Sequence, residues 1–165
     1  MTRRVVVIGA GAAGLVAAGR AGEVGADVIL LEKMREAGKK ILVSGQERCN
    51  ITNTAPLEKF LSHYGRNGQF LRNAYHRFFR DELLALLARY GVTTQEERGG
   101  RVFPASGQAG DVRDALLRYA TSHRVEIRYR AEVQRLLIDN SAVIGVELAN
   151  GARIPAHAVI LATGG

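Results

Sequence analysis

Near the start of the chain, residues 4–8 form a short β-branched run, apolar from Val5 to Ile8 with no polar alternation, the pattern of a parallel strand buried on both faces. Residues 12–24 are rich in Ala and Gly and predict a helix that lies close against a sheet. A second apolar run, "DVILLE" at 27–32, predicts the next strand, and the three elements together make a βαβ half-unit. From about residue 57 to 123 the period becomes helical. In 76–92 the apolar positions Phe79, Leu83, Leu86, Leu87 and Tyr90 recur at helical spacing, with Gly91 as the C-terminal stop. In 106–124 Val112, Ala115, Leu116, Tyr119 and Ala120 form one stripe, with Ser106 or Asp111 as the N-cap. These stripes predict core.

Strand patterns then return. "VEIRY" (125–129) reads as a strand. "EVQRLLI" and "VIGVEL", joined by Asn140-Ser141, pair as a hairpin in which Ile144, Val146 and Leu148 alternate. Asn150-Gly151 turns into a third strand, completing an antiparallel meander. A last apolar run, "AVILATGG" (158–165), ends in two glycines.

The glycines change this picture from fold to chemistry. Gly9, Gly11 and Gly14 form G-x-G-x-x-G directly after a strand and at the opening of a helix, and Glu32 ends the next strand 18 residues after Gly14. Gly9 permits the tight turn, Gly11 lets a pyrophosphate approach bare backbone, and Gly14 lets the helix lie on the strand. The first-turn N–H groups and the positive helix end face the phosphates. Glu32 can accept both hydroxyls of an adenosine ribose and would repel a 2′-phosphate, which disfavours NADP. The corner by itself leaves FAD and NAD open. The long insert, followed by a meander before "ILATGG", favours FAD, because this order resembles the glutathione-reductase-type FAD domain.

The resemblance extends further. "GKKILVSGQERCNITN" (38–53), "EERGGRVFP" (96–104) and "ILATGG" resemble the motifs of a bacterial family of NAD(P)/FAD-dependent oxidoreductases, aminoacetone oxidase-like or BaiN-like, across nearly all 165 residues. The resemblance implies an α/β, Rossmann-like FAD-binding domain, with a parallel sheet, a helical insert and an antiparallel meander. Residues 1–40 and 124–165 would form the Rossmann core and meander, and about 41–123 a mainly helical insert. It implies that Gly9, Gly11, Ala12, Ala13 and Gly14 line the pyrophosphate and that Glu32 and Lys33 meet the adenosine ribose. Lys40, Ser44, Gly45, Arg48, Cys49 and Asn50 would approach the pyrophosphate, ribitol or flavin. The Val133 backbone would meet adenine, and Ala162, Thr163 and Gly164 would pass beside the cofactor. Members usually carry three glycines before R-C-N; here Gly45 is followed by Gln46 and Glu47, which make positive φ costlier. More chain follows the A-T-G-G element in such flavoproteins, so the sequence is expected to be the N-terminal part of a longer oxidoreductase, lacking the substrate domain and the closing segment.

Composition narrows the alternatives. With 47% hydrophobic residues and no apolar run long enough to span a bilayer, the chain reads as globular, with no membrane partner expected. Cys49 is the single cysteine, so no internal disulfide forms; a buried thiol is the expectation, a flavin-side redox thiol the alternative, and a cytoplasmic location fits. Four dispersed histidines lack metal-ligand spacing, and no metal is expected. NAD(P)H and a small-molecule substrate are candidate partners, and no residue is assigned as catalytic. The net charge of +7 is carried by scattered arginines. Arg98 and Arg101, flanking two glycines, are read as loop residues able to hold an anionic substrate, with a solvated loop the alternative for Arg98 and the family motif favouring Arg101. An RNA-acting flavoprotein and a non-catalytic nucleotide module are the competing readings. Nucleic acid is not the expected partner, since no RNA-recognition motif is visible and the aromatics sit mostly in helical stripes.

Overall fold

A computed structural model of the chain describes residues 2–165. It divides into two compact units: residues up to Ile41 together with Leu116–Gly165, and Leu42–Ala115. In the first unit, β1 (Arg4–Ile8), α1 (Ala12–Glu23) and β2 (Asp27–Glu32) form the anticipated half-unit, followed by α2 (Lys39–Val43), in which the first chain boundary falls. The second unit contains β3 (Thr52–Asn53), α3 (Leu57–Ser62), a 3₁₀ segment (Gly65–Leu71), α4 (Arg72–Arg77), α5 (Arg80–Arg89), β4 (Thr94–Glu97) and β5 (Arg101–Pro104). Helix α6 (Ala109–Ser122) contains the other boundary. The first unit then resumes with β6 (Glu126–Tyr129), β7 (Val133–Asp139), β8 (Ala142–Leu148), β9 (Arg153–Pro155) and β10 (Ala158–Leu161).

The first unit is a four-stranded parallel sheet in the order β10-β1-β2-β6, with the antiparallel meander β7-β8-β9. Strand β1 lies at the sheet's centre with β2 on one side and β10 on the other, so the direction of winding reverses between β1 and β10. Val6, Ile8, Ile29 and Leu31 from one face of the sheet pack with Val146, Leu148 and Ile154 of the meander. Helix α1 buries Gly14, Leu15, Ala18 and Gly19. A Cβ at Gly19 would sit 2.4 Å from the Tyr119 ring, so α1 and the C-terminal part of α6 approach closely only because position 19 is bare.

In the second unit the segment read as helical also carries a sheet, β3-β5-β4, antiparallel. Gly99 (φ 80°) and Gly100 (φ 73°) form the β4–β5 turn, so Arg98 and Arg101 belong to a hairpin and Arg101 opens its second strand. The helical stripe at 79–90 falls on one helix, α5, with Phe79 at its N-cap and Tyr90 at its C-cap; the Phe79 N–H is donated to the Glu82 carboxylate at 2.9 Å, and extended Phe78 separates α5 from α4, which ends at Arg77. Gly91, at φ 88°, is the stop expected. Helix α6 begins at Ala109, so neither Ser106 nor Asp111 occupies its N-cap; instead the Ser106 hydroxyl donates to Asp111 at 2.5 Å and accepts from the Gln108 N–H. All five stripe residues of α6 are buried. The alternation expected in β8 fails at Ile144, which is 48% exposed: Leu137 pairs with Gly145 and Ile138 with Val143, leaving Ile144 as the extra residue of a bulge.

Candidate dinucleotide-binding site

Ligands of open α/β sheets sit beyond the carboxyl ends of the strands, where the winding reverses. In the first unit this place is the crevice between the ends of β1 and β10, and six of the anticipated residues meet there. Gly9, at φ 99°, leaves β1 with its N–H donated to the Leu31 carbonyl at 2.7 Å. A Cβ at Gly9 would lie 2.5 Å from the Ala162 carbonyl oxygen, and one at Gly14 would lie 1.8 Å from the Gly9 carbonyl oxygen. These two glycines therefore close the corner by backbone packing against β10 and α1. Gly11 differs: its φ is −78°, and nothing lies within 4 Å of a Cβ built there. The corner is thus tight at its two outer glycines and open at the middle one. No side chain caps α1, Gly11 standing at its N-cap, and Ala12 and Ala13 are exposed. The first-turn amides accordingly face open space, the cradle a diphosphate needs.

Glu32 ends β2 and is held by two backbone donors: Ala10 N–H to Oε2 at 2.8 Å and Met34 N–H to Oε1 at 2.8 Å. Each carboxylate oxygen keeps a lone pair for a further donor. The Glu32 carbonyl accepts from Ala131 at 2.9 Å and Met34's from Arg130 at 3.0 Å, which brings the start of the meander, with Val133, to the same strand end. Lys33 is exposed beside it. Ala10 escaped the sequence reading. It is fully buried, its N–H bonds Glu32, and its carbonyl accepts from Gly38 at 2.8 Å, tying the α2 approach to the corner. Gly38, at φ 73° just before the two lysines, was the available signal. Lys40 extends its ammonium to the Gly165 carbonyl, and a Cβ at Gly164 would meet that ammonium at 3.3 Å, so Lys40 lies along the segment that follows β10.

The remaining expected residues lie in the second unit, in a loop that keeps glycine-like geometry without the glycines. Gly45 (φ 58°), Gln46 (φ 57°) and Glu47 (φ 66°) are consecutively left-handed, and Cys49 (φ 59°) is too. Left-handed conformation costs a non-glycine residue roughly 1–2 kcal/mol. The loop is held by backbone bonds, Cys49 N–H to the Ser44 carbonyl at 3.0 Å and Ala109 N–H to the Glu47 carbonyl at 3.1 Å. Cys49 is buried; desolvation pushes its thiol above the ordinary value, and a hydrogen bond with Ser44 offsets part of this. Arg48 stacks over Phe103 at 4.3 Å and pairs with Glu97, while Arg101 approaches the same ring at 5.7 Å. Asn50 is exposed, its backbone nitrogen 2.6 Å from where a Gly45 Cβ would sit. Nothing in the local pattern marked Glu97 or Phe103 as partners of Arg48. Among the described residues no cluster of three or more His, Cys, Asp or Glu could hold a metal, and no helix is long and apolar enough to cross a membrane.

Comparison with known proteins sets this geometry in a family. The model of the HI0933-like protein Rossmann domain matches residues 3–165. The chain is 38% identical over 164 residues to the 3-dehydro-bile acid delta(4,6)-reductase of Clostridium scindens, covering 98% of this chain and 39% of that protein. It is 32% identical over 161 residues to the ribosomal RNA dihydrouridine synthase of Escherichia coli, covering 97% of this chain and 39% of that one. Among solved structures, the open conformation of a flavocytochrome c3 fumarate reductase superposes with a TM-score of 0.68 at 25% identity, over 99% of this chain and 34% of that one. The chain thus spans about two-fifths of the curated relatives it matches. It belongs to the HI0933-like family and carries that family's FAD-binding Rossmann domain.

Proposed function

We propose that this chain holds the ADP half of FAD at the β1–α1 corner, as the cofactor-binding part of a flavoprotein oxidoreductase. The observation that carries the reading is the contrast within the corner. Gly9 and Gly14 are packed to the limit, whereas Gly11 and the first-turn amides of α1 are open at the point where the sheet's winding reverses. Here the backbone of Gly11–Ala13 binds the diphosphate. Glu32 orients the adenosine ribose and, through Ala10, fixes the loop that carries the amides. The Val133 backbone meets adenine, and Ala162–Gly164 with Lys40 flank the chain of the cofactor. Ser44, Gly45, Arg48, Cys49 and Asn50 are assigned to the same cofactor on the strength of their motif. Bound there, FAD supplies hydride and electron transfer. NAD(P)H as donor, a small-molecule acceptor and a cytoplasmic setting complete the proposal.

The test is a visible spectrum of the purified intact polypeptide, followed by heat extraction and identification of the released nucleotide. Flavin absorbance with FAD in the extract is the expected result; a nicotinamide nucleotide alone would overturn the reading.

A further inference from the structure

The second unit carries a surface unlike the rest of the molecule. Residues 59–80 hold six of the chain's ten aromatic rings, four arginines, one lysine and no carboxylate. Protein-binding faces have this composition, with aromatic residues and arginine enriched and lysine and acids depleted. The acids at its borders are already engaged, Glu58 bidentate with Arg72 (2.6 Å for both bonds) and Asp81 with Arg80 (2.9 Å). Lys59, Arg66 and Arg77 are exposed, and no ion pair among the described residues occupies them. Beneath these charges Phe60, Tyr75 and Phe79 pack edge to face at 4.9–5.5 Å, and Tyr75 hydrogen-bonds Tyr64 hydroxyl to hydroxyl at 2.7 Å. Above this base the 3₁₀ segment is pinned to α3 at buried Gly68, where any Cβ would overlap the Leu61 carbonyl. Phe70 projects outward, 89% exposed. It lines an open hollow of about 620 Å³ with Tyr64 and Leu71, and Arg66 and Asn67 complete the wall.

We propose that this face docks an acidic polypeptide segment, whose apolar side chains enter the hollow beside Phe70 while its carboxylates pair with Lys59, Arg66 and Arg77. An exposed apolar patch rimmed by polar groups marks an interaction site, and an aromatic anchor with charges around it is the usual division between affinity and selectivity. Charge complementarity chooses the occupant. A neutral apolar partner would bury the three cations unpaired. A second copy of this chain would set unpaired cations against unpaired cations if the same face were shared. A nucleic-acid strand would match the charge, but stacking of successive bases calls for successive free rings. Here the rings beneath are spent on one another, and Leu71 adds an aliphatic wall that stacking does not use. The proposal does not depend on the flavin reading, because the surface lies wholly in residues 59–80 and its test needs no bound cofactor.

The experiment is fluorescence anisotropy of the intact polypeptide with a labelled twelve-residue peptide of aspartate and glutamate carrying two leucines one helical turn apart. Two control peptides replace the leucines by serine or the acids by glutamine, and a 12-nucleotide RNA strand serves as a further probe. The parent peptide should bind saturably, and either replacement should weaken it about tenfold or more. Phe70→Ala should cost a similar factor, and Phe70→Leu should retain most of the affinity, since an apolar contact needs no ring. Arg66→Ala with Arg77→Ala should weaken binding and remove most of its dependence on salt. The proposal is overturned by no saturable binding of the parent peptide, by equal binding of the serine version, or by unchanged affinity in Phe70→Ala. RNA bound more tightly than the peptide, and lost in Phe70→Ala, would overturn it as well. Since Phe70 is exposed, its substitution leaves the fold in place, which a wild-type melt of each variant checks.

Discussion

Substituting the corner's glycines one at a time should separate folding from binding. In Gly14→Ala the new methyl would sit 1.8 Å from the Gly9 carbonyl oxygen, where about 3.4 Å is an ordinary contact. Backbone on both sides must move by more than 1 Å, and overpacking of this kind costs about 1–3 kcal/mol. For a chain of this length each kcal/mol lowers Tm by about 2–4 °C, so the apoprotein should melt about 2–12 °C lower. Gly11→Val places its side chain in open space on extended backbone, so apoprotein stability should change by less than about 0.5 kcal/mol. Yet that side chain fills the space a diphosphate must enter. Losing two charge-assisted hydrogen bonds costs about 3 kcal/mol or more, so FAD affinity should fall by more than about 100-fold. Thermal melts of the apoproteins and flavin-fluorescence titrations of the intact polypeptide read the two effects. Wild-type FAD affinity in Gly11→Val, or a wild-type melt in Gly14→Ala, would refute the reasoning.

Other consequences are equally measurable. Glu32→Ala strips the acceptor from the Ala10 and Met34 amides and should lower apoprotein stability by about 2 kcal/mol, read by urea denaturation, as well as weakening AMP binding; an unchanged urea midpoint would contradict the loop-fixing role. Gln46→Gly and Glu47→Gly relieve left-handed backbone, partly offset by the entropy of a more flexible unfolded chain, and should each stabilise by about 0.5–1 kcal/mol. Glu147 accepts from Arg135 and Arg153, which hold its carboxyl below the usual 4.5. A depressed native pKa contributes stability above the unfolded value, lost as pH falls through the native one. Stability should therefore decline below about pH 4.5, and Glu147→Gln should make that decline shallower in melts taken at successive pH values.

Much of this molecule was legible because its information is local. Strands β1, β2 and β10 announce themselves as short apolar runs and β6 by alternation of Val125, Ile127 and Tyr129 with charged residues, while the Asn140-Ser141 and Asn150-Gly151 turns are marked by small polar residues and glycine, of which Asn140 (45°), Ser141 (65°) and Gly151 (84°) adopt positive φ. The hairpin of β4 and β5 was obscured because its alternation is weak: Thr94-Gln95-Glu96-Glu97 offers no apolar face, and its pairing with buried Val102 and Phe103 supplies what it lacks. The bulge at Ile144 and the α4–α5 break at Phe78 likewise follow from pairing and packing across distance, which periodicity does not encode.

Sequence alone thus settled the succession of elements in the parallel sheet and the meander, the glycine-spaced corner and the acid after it, since steric freedom and hydrophobic period belong to individual residues and their neighbours. Only the tertiary structure decided that β10 lies beside β1, that Glu32 anchors the Ala10 amide, that Arg48 rests on Phe103 and that Phe70 faces solvent. Each of these brings together residues far apart in the chain or depends on which face of an element is covered, and burial is a property of the packed whole.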